Sequence, residues 1–312
     1  MRVLVTGAAG FIGSHLCEAL LQRGYEVTAM DNFDSYYDPA IKRRNISGFQ
    51  ERVRLVEGDI RSEKALGLAL KDVDAVAHLA ARAGVRASLG DPGLYVDNNV
   101  GGTQNLLQAM VERDILRLVF ASSSSVYGSR TSGPFREDEP VLEPVSPYAA
   151  TKLSGEYLCR AAHKTWGMQV SNMRLFTVYG PRQRPEMAIH LFARLASKGL
   201  AIPRFGTGES VRDYTYVADI VEGLIAAIEI PCGYRVFNLG NDNPISLNAL
   251  IAHLGQALGS SIRVDSHGDQ PGDVPRTWAS IDRAKEELGY SPADPLEAGL
   301  ERFVAWLNQQ SA

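Results

Sequence analysis

Gly7-Ala8-Ala9-Gly10-Phe11-Ile12-Gly13 follows directly on the apolar run Val3-Leu4-Val5, and no other junction restricts the fold as much. A buried strand ending at Thr6-Gly7 must turn through glycines into a helix. The apolar face of that helix is Phe11, Ile12, Leu16, Ala19 and Leu20, and Gly24 ends it. Glycines let the chain turn tightly and let a pyrophosphate reach the free N–H groups of a helix N-terminus. A second strand, Glu26 to Met30, ends at Asp31, close to the roughly 20 residues expected before the acid that holds an adenine-ribose 2′-hydroxyl. Asp31 repels a 2′-phosphate and no arginine follows it, so NAD is favoured over NADP. The competing reading, a tight strand–helix turn without a ligand, leaves the terminal acid unexplained.

A second signature lies at Ser146-Pro147-Tyr148-Ala149-Ala150-Thr151-Lys152. Ser146 suits a helix cap and Pro147 the first helical position, so Tyr148 and Lys152 share one face, a turn apart. A lysine ammonium near a phenol favours the phenolate and makes it a usable general base. Ser122-Ser123-Ser124-Ser125 lies just beyond the apolar run Leu118-Val119-Phe120, at the carboxyl end of a strand, where open α/β sheets bind ligands. A serine there can share a proton with a substrate hydroxyl. No histidine and acid accompany it as a nucleophile's partners would.

Gly-x-x-Gly-x-x-Gly together with Tyr148-x-x-x-Lys152 resembles the extended short-chain dehydrogenase/reductase family, whose members mostly modify nucleotide sugars. The likeness continues through Asp59-Ile60, His78-Leu79-Ala80-Ala81, Asp97-Asn98-Asn99-Val100-Gly101-Gly102-Thr103 and Ser122 to Gly128. It extends to Tyr179-Gly180-Pro181-Arg182 and to Arg212-Asp213-Tyr214-Thr215-Tyr216-Val217-Ala218-Asp219. It implies a tightly bound, recycled NAD held by Gly7, Gly10, Phe11, Ile12, Gly13, Asp31, Asn32, Asp59 and Ile60. Leu79, Ala80, Ala81, Asn98, Ser122, Tyr148 and Lys152 complete that implied set. It also implies a catalytic trio of Tyr148, Lys152 and Ser123, with Ser124 and Ser125 beside the substrate. Relatives that dehydrate or decarboxylate carry an acid just before Val-Tyr-Gly, where this chain has Ser124 and Ser125. The implied reaction is therefore oxidation at C4, rotation of a transient 4-keto sugar and its reduction from the other face, a 4-epimerisation.

For the sugar, the resemblance places Arg212 and Arg276, the latter after Gly272-Asp273-Val274, at the diphosphate of a UDP-sugar, where guanidinium forks suit phosphate oxygens. The stretch from Arg174 to Met187 is similar to UDP-glucuronate 4-epimerases, with Thr177 where many UDP-glucose 4-epimerases have Asn. Ala83-Gly84-Val85-Arg86 shares that likeness, and either Arg86 or Arg184 could meet a C6 carboxylate. UDP-glucuronate is the first expectation and UDP-glucose/UDP-galactose the second. A non-catalytic nucleotide sensor is the remote third, since Tyr148, Lys152 and the glycines are all present.

Apolar runs at Val3–Val5, Val27–Met30, Val53–Val56, Ala75–Leu79, Leu118–Phe120 and Val170–Phe176 alternate with helical patterns. This predicts an α/β, Rossmann-type doubly wound parallel sheet followed by a smaller C-terminal substrate-binding region. The expected division is residues 1–179 for NAD and 180–312 mainly for substrate; the resemblance implies that a strand near 235–239 returns to the first part. The segment from Phe33 to Phe49 reads as a loop and a short helix without an evident role. A net charge of −4 with no basic run argues against nucleic acid or an acidic membrane surface as partner. Cys17, Cys159 and Cys232 read as separate reduced thiols of a cytoplasmic protein, the N-terminus shows no signal peptide, and the histidines have no metal-ligand spacing. Leu106, Leu107 and Met110, with Leu153, Tyr157 and Leu158, form apolar helix faces that relatives use for a homodimer contact.

Overall fold

A computed structural model describes residues 1–130, 132–141, 143–269 and 274–311. Strand β1 (Arg2–Thr6), helix α1 (Phe11–Gln22), β2 (Glu26–Asp31), α2 (Pro39–Ile46), β3 (Arg54–Glu57), α3 (Glu63–Ala69) and β4 (Ala75–His78) alternate in turn. Short α4 (Val85–Gly90) and α5 (Pro92–Tyr95) lead through a π-helical segment, Val96–Gly101, into α6 (Gly102–Val111). Next come β5 (Arg117–Ser123), a 3-10 turn at Ser124–Tyr127, α7 (Pro147–Trp166), β6 (Gln169–Leu175) and β7 (Thr177–Tyr179). The remainder is α8 (Ala188–Ala196), β8 (Ile202–Phe205), β9 (Val211–Tyr216), α9 (Val217–Glu229) and β10 (Tyr234–Leu239). It closes with β11 (Pro244–Ser246), α10 (Leu247–Leu258), β12 (Val264–His267), β13 (Arg276–Thr277), α11 (Asp282–Leu288) and α12 (Leu296–Ser311).

Seven parallel strands form the central sheet in the order β10-β6-β5-β4-β1-β2-β3, a doubly wound α/β fold. Strand periodicity explains its two faces. Val3 and Val5 point into one apolar cluster with Leu16 and Leu20 of α1 and Leu224 and Ile228 of α9. Leu4 points into the other, with Leu66 of α3, Leu106 and Met110 of α6 and Ala162 of α7. The order reverses between β1 and β4, so the crevice above their carboxyl ends is the natural ligand address. β10 pairs with β6 along its length, Val236 opposite Asn172 and Leu239 opposite Leu175, so the chain re-enters the sheet after leaving it. A smaller sheet of β7, β9, β11 and β13 stands beside the crevice, and β8 pairs with β12.

Two sequence expectations change. The Asp97–Thr103 motif, which reads from sequence as the opening of a helix, lies inside one that begins earlier, capped by Asp91, whose side chain accepts the Leu94 amide; Asp97 itself falls in the π-helical segment. Leu106, Leu107 and Met110 are buried against the protein's own sheet and offer nothing to a second subunit. The segment after Phe33 is a loop followed by α2, capped by Asp38, with Pro39 at the first helical position.

Candidate active site

Gly7 lies at φ 70°, and a Cβ there would stand 2.8 Å from the Ala80 amide nitrogen. A Cβ on Gly13 would fall 2.1 Å from the Gly7 carbonyl oxygen, so only glycine lets α1 start this close to the turn. Gly10 precedes α1 in extended backbone without a side-chain cap, which leaves the first N–H groups of the helix directed at the crevice. At the end of β2 the buried Asp31 carboxylate accepts the Ala9 amide at 3.0 Å and the Phe33 amide at 2.8 Å. Burial raises its pKa, against the opposing pull of Lys42, whose Nζ lies 4.0 Å away. A cleft of about 530 Å³ runs from this glycine turn past Asp31 to Tyr148 and Lys152. A side-chain-free cradle at a helix N-terminus, with an acid at the next strand end, fits the pyrophosphate and ribose of NAD.

The far end of the cleft is built by β5 and α7. Ser146 caps α7 by accepting the Ala149 amide at 3.1 Å, and Gly167 at φ 70° ends it. Gly155 brings α7 close to β5, since a Cβ there would meet the Phe120 ring at 2.4 Å. Ser123, the last residue of β5, stands beside the Tyr148 phenol and accepts the Ser125 hydroxyl at 2.9 Å. Burial raises the Tyr148 pKa, while the Ser123 hydroxyl and the Arg184 charge pull it down. Lys152 behaves differently from the sequence expectation. Its Nζ donates to the Ala121 carbonyl at 2.7 Å, and burial lowers its pKa to about 8. The shared helix face is present, but the lysine leans back onto β5, and Ser123 and Arg184 are the groups that favour the phenolate here.

That buried ammonium has a consequence for stability. The folded pKa of about 8 lies below the unfolded 10.5, so at pH 7 both states are charged and the folded one bears the burial cost. Between about 8 and 10.5 the unfolded chain holds the proton that the folded chain has lost, and stability rises with pH across that window. Lys152→Met is therefore expected to stabilise the cofactor-free protein at pH 7 by about 2–3 kcal/mol while abolishing turnover. Urea unfolding checks this: the gain should fade between about pH 8 and 10.5 and be gone above that, and a pH-independent loss of stability would refute it.

A buried polar network backs the reacting end. Glu156, one turn after Lys152, accepts Arg174 Nε at 2.9 Å and Nη2 at 2.7 Å, and also the Ser122 hydroxyl. The Arg174 guanidinium lies 4.7 Å from the Tyr127 ring centre, and the Tyr127 hydroxyl donates to Asn238 of β10 at 2.7 Å. Where β1 meets β4, the Ala80 amide donates to Thr6 Oγ1, which bonds His78 Nδ1 at 2.7 Å. His78 Nε2 bonds Thr103 Oγ1, which donates to the Asn99 carbonyl at 2.6 Å. Burial lowers the His78 pKa to about 3, so the ring is neutral and holds this crossing point as a strut.

At the open mouth, Arg184 Nε pairs with Glu186 at 3.0 Å, and Thr177 and Arg212 lie in the same wall. The loop that carries Arg184 is pinned to α1: Arg182, at φ 64°, forks onto Glu18 at 2.7 and 3.0 Å, and His15 bonds the Pro181 carbonyl at 2.9 Å.

Of the residues singled out from sequence, Gly7, Gly10, Phe11, Ile12, Gly13, Asp31, Asn32 and Ile60 line the cleft on the side of β1–β3. Leu79, Ala80, Ala81, Asn98, Ser122 to Ser125, Tyr148, Lys152, Thr177, Arg184 and Arg212 line its remainder. Three lie outside that lining. Asp59 stands behind Asn32, held by Arg61, which with the Asn32 amide depresses its pKa to about 2. Arg86 is exposed, with its guanidinium over the Phe205 ring. Arg276 is exposed at the rim, between the lining residues Val274 and Thr277, while Gly272 and Asp273 fall outside the described residues. Sequence reasoning missed Asp34, Tyr36, Tyr37, Lys42 and Arg82, all of which line the cleft. The aromatic pair Tyr36-Tyr37 beside a strand-end acid was the available signal. Among the described residues no cluster of His, Cys, Asp or Glu could hold a metal ion, and no helix is long and apolar enough to cross a membrane.

A parallel sheet with a glycine cradle at its switch point and a Ser–Tyr–Lys set one strand further on defines a dinucleotide-dependent enzyme of the short-chain dehydrogenase type. Residues 3–240 match the model of the NAD dependent epimerase/dehydratase family, and the chain belongs to that family. It is 43% identical over 308 residues to a UDP-glucuronate 4-epimerase of Thermodesulfobacterium geofontis, covering 97% of this chain and 95% of that one. Its structure is similar to that of a Bacillus cereus UDP-glucuronic acid 4-epimerase in complex with UDP-glucuronic acid and NAD. There the TM-score is 0.95 and the identity 40%, over 99% of this chain and 100% of that one. A Thermotoga maritima UDP-glucose 4-epimerase with UDP-glucose is 30% identical at TM-score 0.93, with 100% of both chains covered.

Proposed function

We propose that the protein is an NAD-dependent UDP-glucuronate 4-epimerase, converting UDP-glucuronate to UDP-galacturonate. The observation that carries the reading is Arg184 with Thr177 at the mouth of a cleft whose reacting end offers Tyr148 and Ser123 but no carboxylate at Ser124 or Ser125. Bound NAD supplies the hydride acceptor and donor that the chain itself lacks. Tyr148 takes the proton of the C4 hydroxyl and returns it, and Ser123 shares that hydrogen bond and orients the oxygen. Lys152 holds the ribose side of the cofactor from its anchor on Ala121. Asp31, with Lys42 beside it, takes the adenine-ribose hydroxyls, and the free N–H groups of α1 take the pyrophosphate. Arg212, with Arg276 at the rim, meets the substrate diphosphate, which keeps the sugar tethered while it turns over. Arg184 rather than Arg86 reads the C6 carboxylate, since Arg184 lines the cleft with the reacting groups and Arg86 does not.

In this proposal residues 1–179 serve NAD and residues after 180 mainly the substrate. The protein acts in the cytoplasm, in keeping with its three free cysteines. It pairs as a homodimer through the exposed Leu89, Val96 and Tyr157 on adjoining α4, the π-helical segment and α7, a face that sedimentation of the purified protein tests.

The decisive experiment is an NMR time course with UDP-glucuronate and UDP-glucose together and no added cofactor. UDP-galacturonate is the expected product. Arg184→Met should cut kcat/KM on the uronate by about tenfold to a hundredfold, the worth of one charged hydrogen-bonded contact. UDP-galactose as the sole product would refute the uronate assignment, and no product even after added NAD would refute the epimerase itself.

A further inference from the structure

The loop between β2 and α2 reaches across the cleft. Asn32 Oδ1 accepts the Asp34 amide at 3.0 Å, and Asp34 Oδ1 accepts the Tyr36 amide at 2.7 Å, so two successive side-chain turns fold the loop back. Tyr36 is thereby set into the cleft wall. Two guanidiniums lie over its ring, that of Arg82 at 5.2 Å and that of Arg184 at 5.7 Å from the ring centre. Each also has its own acid: Asp34 lies 3.0 Å from Arg82, and Glu186 lies 3.0 Å from Arg184. The Tyr36 hydroxyl lies with that of Tyr95 beside Gly84; the Tyr95 hydroxyl donates to the Ala83 carbonyl at 3.0 Å, and its ring packs edge-on against Tyr148. Gly84, at φ 111°, makes room for Tyr36, since a Cβ there would stand 2.8 Å from the Tyr36 hydroxyl. Two stretches without a role of their own, the loop after Asp31 and Ala83-Gly84, thus meet over the reacting end.

We infer that Tyr36 is a positioning residue for sugar selection: its ring is the platform that holds the Arg184 guanidinium in register for the substrate carboxylate. The inference rests on the reading of Arg184 given above. An arginine side chain is long and loses rotamer freedom when it grips a ligand. A ring beneath the guanidinium and an acid at its Nε remove most of that freedom beforehand, so less is lost on binding. A neutral hexose has no carboxylate and does not draw on this arrangement.

The test uses the enzyme as purified with its NAD and compares wild type, Tyr36→Ala and Tyr36→Phe on UDP-glucuronate and UDP-glucose. Tyr36→Ala should raise KM for UDP-glucuronate about tenfold, with kcat within about twofold and KM for UDP-glucose nearly constant. Tyr36→Phe keeps the ring and should recover most of the affinity. Gly84→Ala, which crowds the Tyr36 hydroxyl, gives a second route should Tyr36→Ala fold poorly, and it should also raise KM for the uronate selectively. Equal KM changes on both sugars, or a fall in kcat at constant KM, would overturn the role of Tyr36 alone. A wild type that ignores UDP-glucuronate would overturn the carboxylate reading itself, and the platform with it.

Discussion

Replacing Tyr148 by Phe is expected to lower kcat on the nucleotide sugar by about a thousandfold or more, within the range that a positioned general acid–base supplies. The substitution removes one oxygen. The ring keeps its edge-on contact with Tyr95, 6.3 Å between centres, and α7 keeps its Ser146 cap, so fold and NAD retention should be intact. What disappears is the phenolic proton beside Ser123 at the reacting end. Because burial holds the phenol above its ordinary value, wild-type turnover should climb with pH as the phenolate fraction grows, and the variant's residual rate should be flat. Single-turnover measurements with UDP-glucuronate decide it, and a variant within tenfold of wild type would move the proton transfer to another group.

The second large effect concerns stability. Glu156→Ala should cost about 3–5 kcal/mol, because it strands the Arg174 charge in a buried site rather than merely deleting an attraction. Arg174 is 3% exposed, and its Nη1 already has no hydrogen-bond partner, so the loss of both Glu156 oxygens leaves the guanidinium with little but the Tyr127 ring. Ser122 would lose its acceptor as well, loosening the strand end that carries Ser123. Replacing Glu156 and Arg174 together by apolar residues should be markedly less harmful than Glu156→Ala. Urea unfolding of the three variants makes the comparison. If the double variant is as unstable as Glu156→Ala, packing and not stranded charge sets the cost.

Much of this architecture can be read from the chain because its signals are local. Alternation in Val3-Leu4-Val5 sends side chains to opposite faces of the sheet, and the change to helical spacing at Phe11 marks the glycine turn between them. The Ser146 cap and Pro147 place Tyr148 and Lys152 on one helix for the same reason. The direction of the Lys152 side chain is not local: it depends on how closely Gly155 lets α7 approach β5. The same contact of helix and sheet decides that Leu106, Leu107 and Met110 serve the protein's own core. Choosing between Arg86 and Arg184 required the path of the loop after Gly180, pinned by Arg182 to Glu18 far back in the sequence. The role of Tyr36 could not be read from the chain because its partners are distant in sequence: Arg82 and Gly84 lie between β4 and α4, Tyr95 ends α5, and Arg184 lies between β7 and α8.

The late return of β10 to the sheet means that residues 1–179 are not a self-sufficient, exchangeable cassette. A truncation before Tyr234 would strip the outermost strand and leave β6 with an unpaired row of amides and carbonyls from Val170 to Leu175. Such a bare strand edge invites intermolecular strand addition and precipitation. Asn238, which joins the Tyr127 hydroxyl to the backbone of Phe135 and Ser280, would be lost with it. Any exchange of segments between proteins of this build therefore has to keep β10 together with β6.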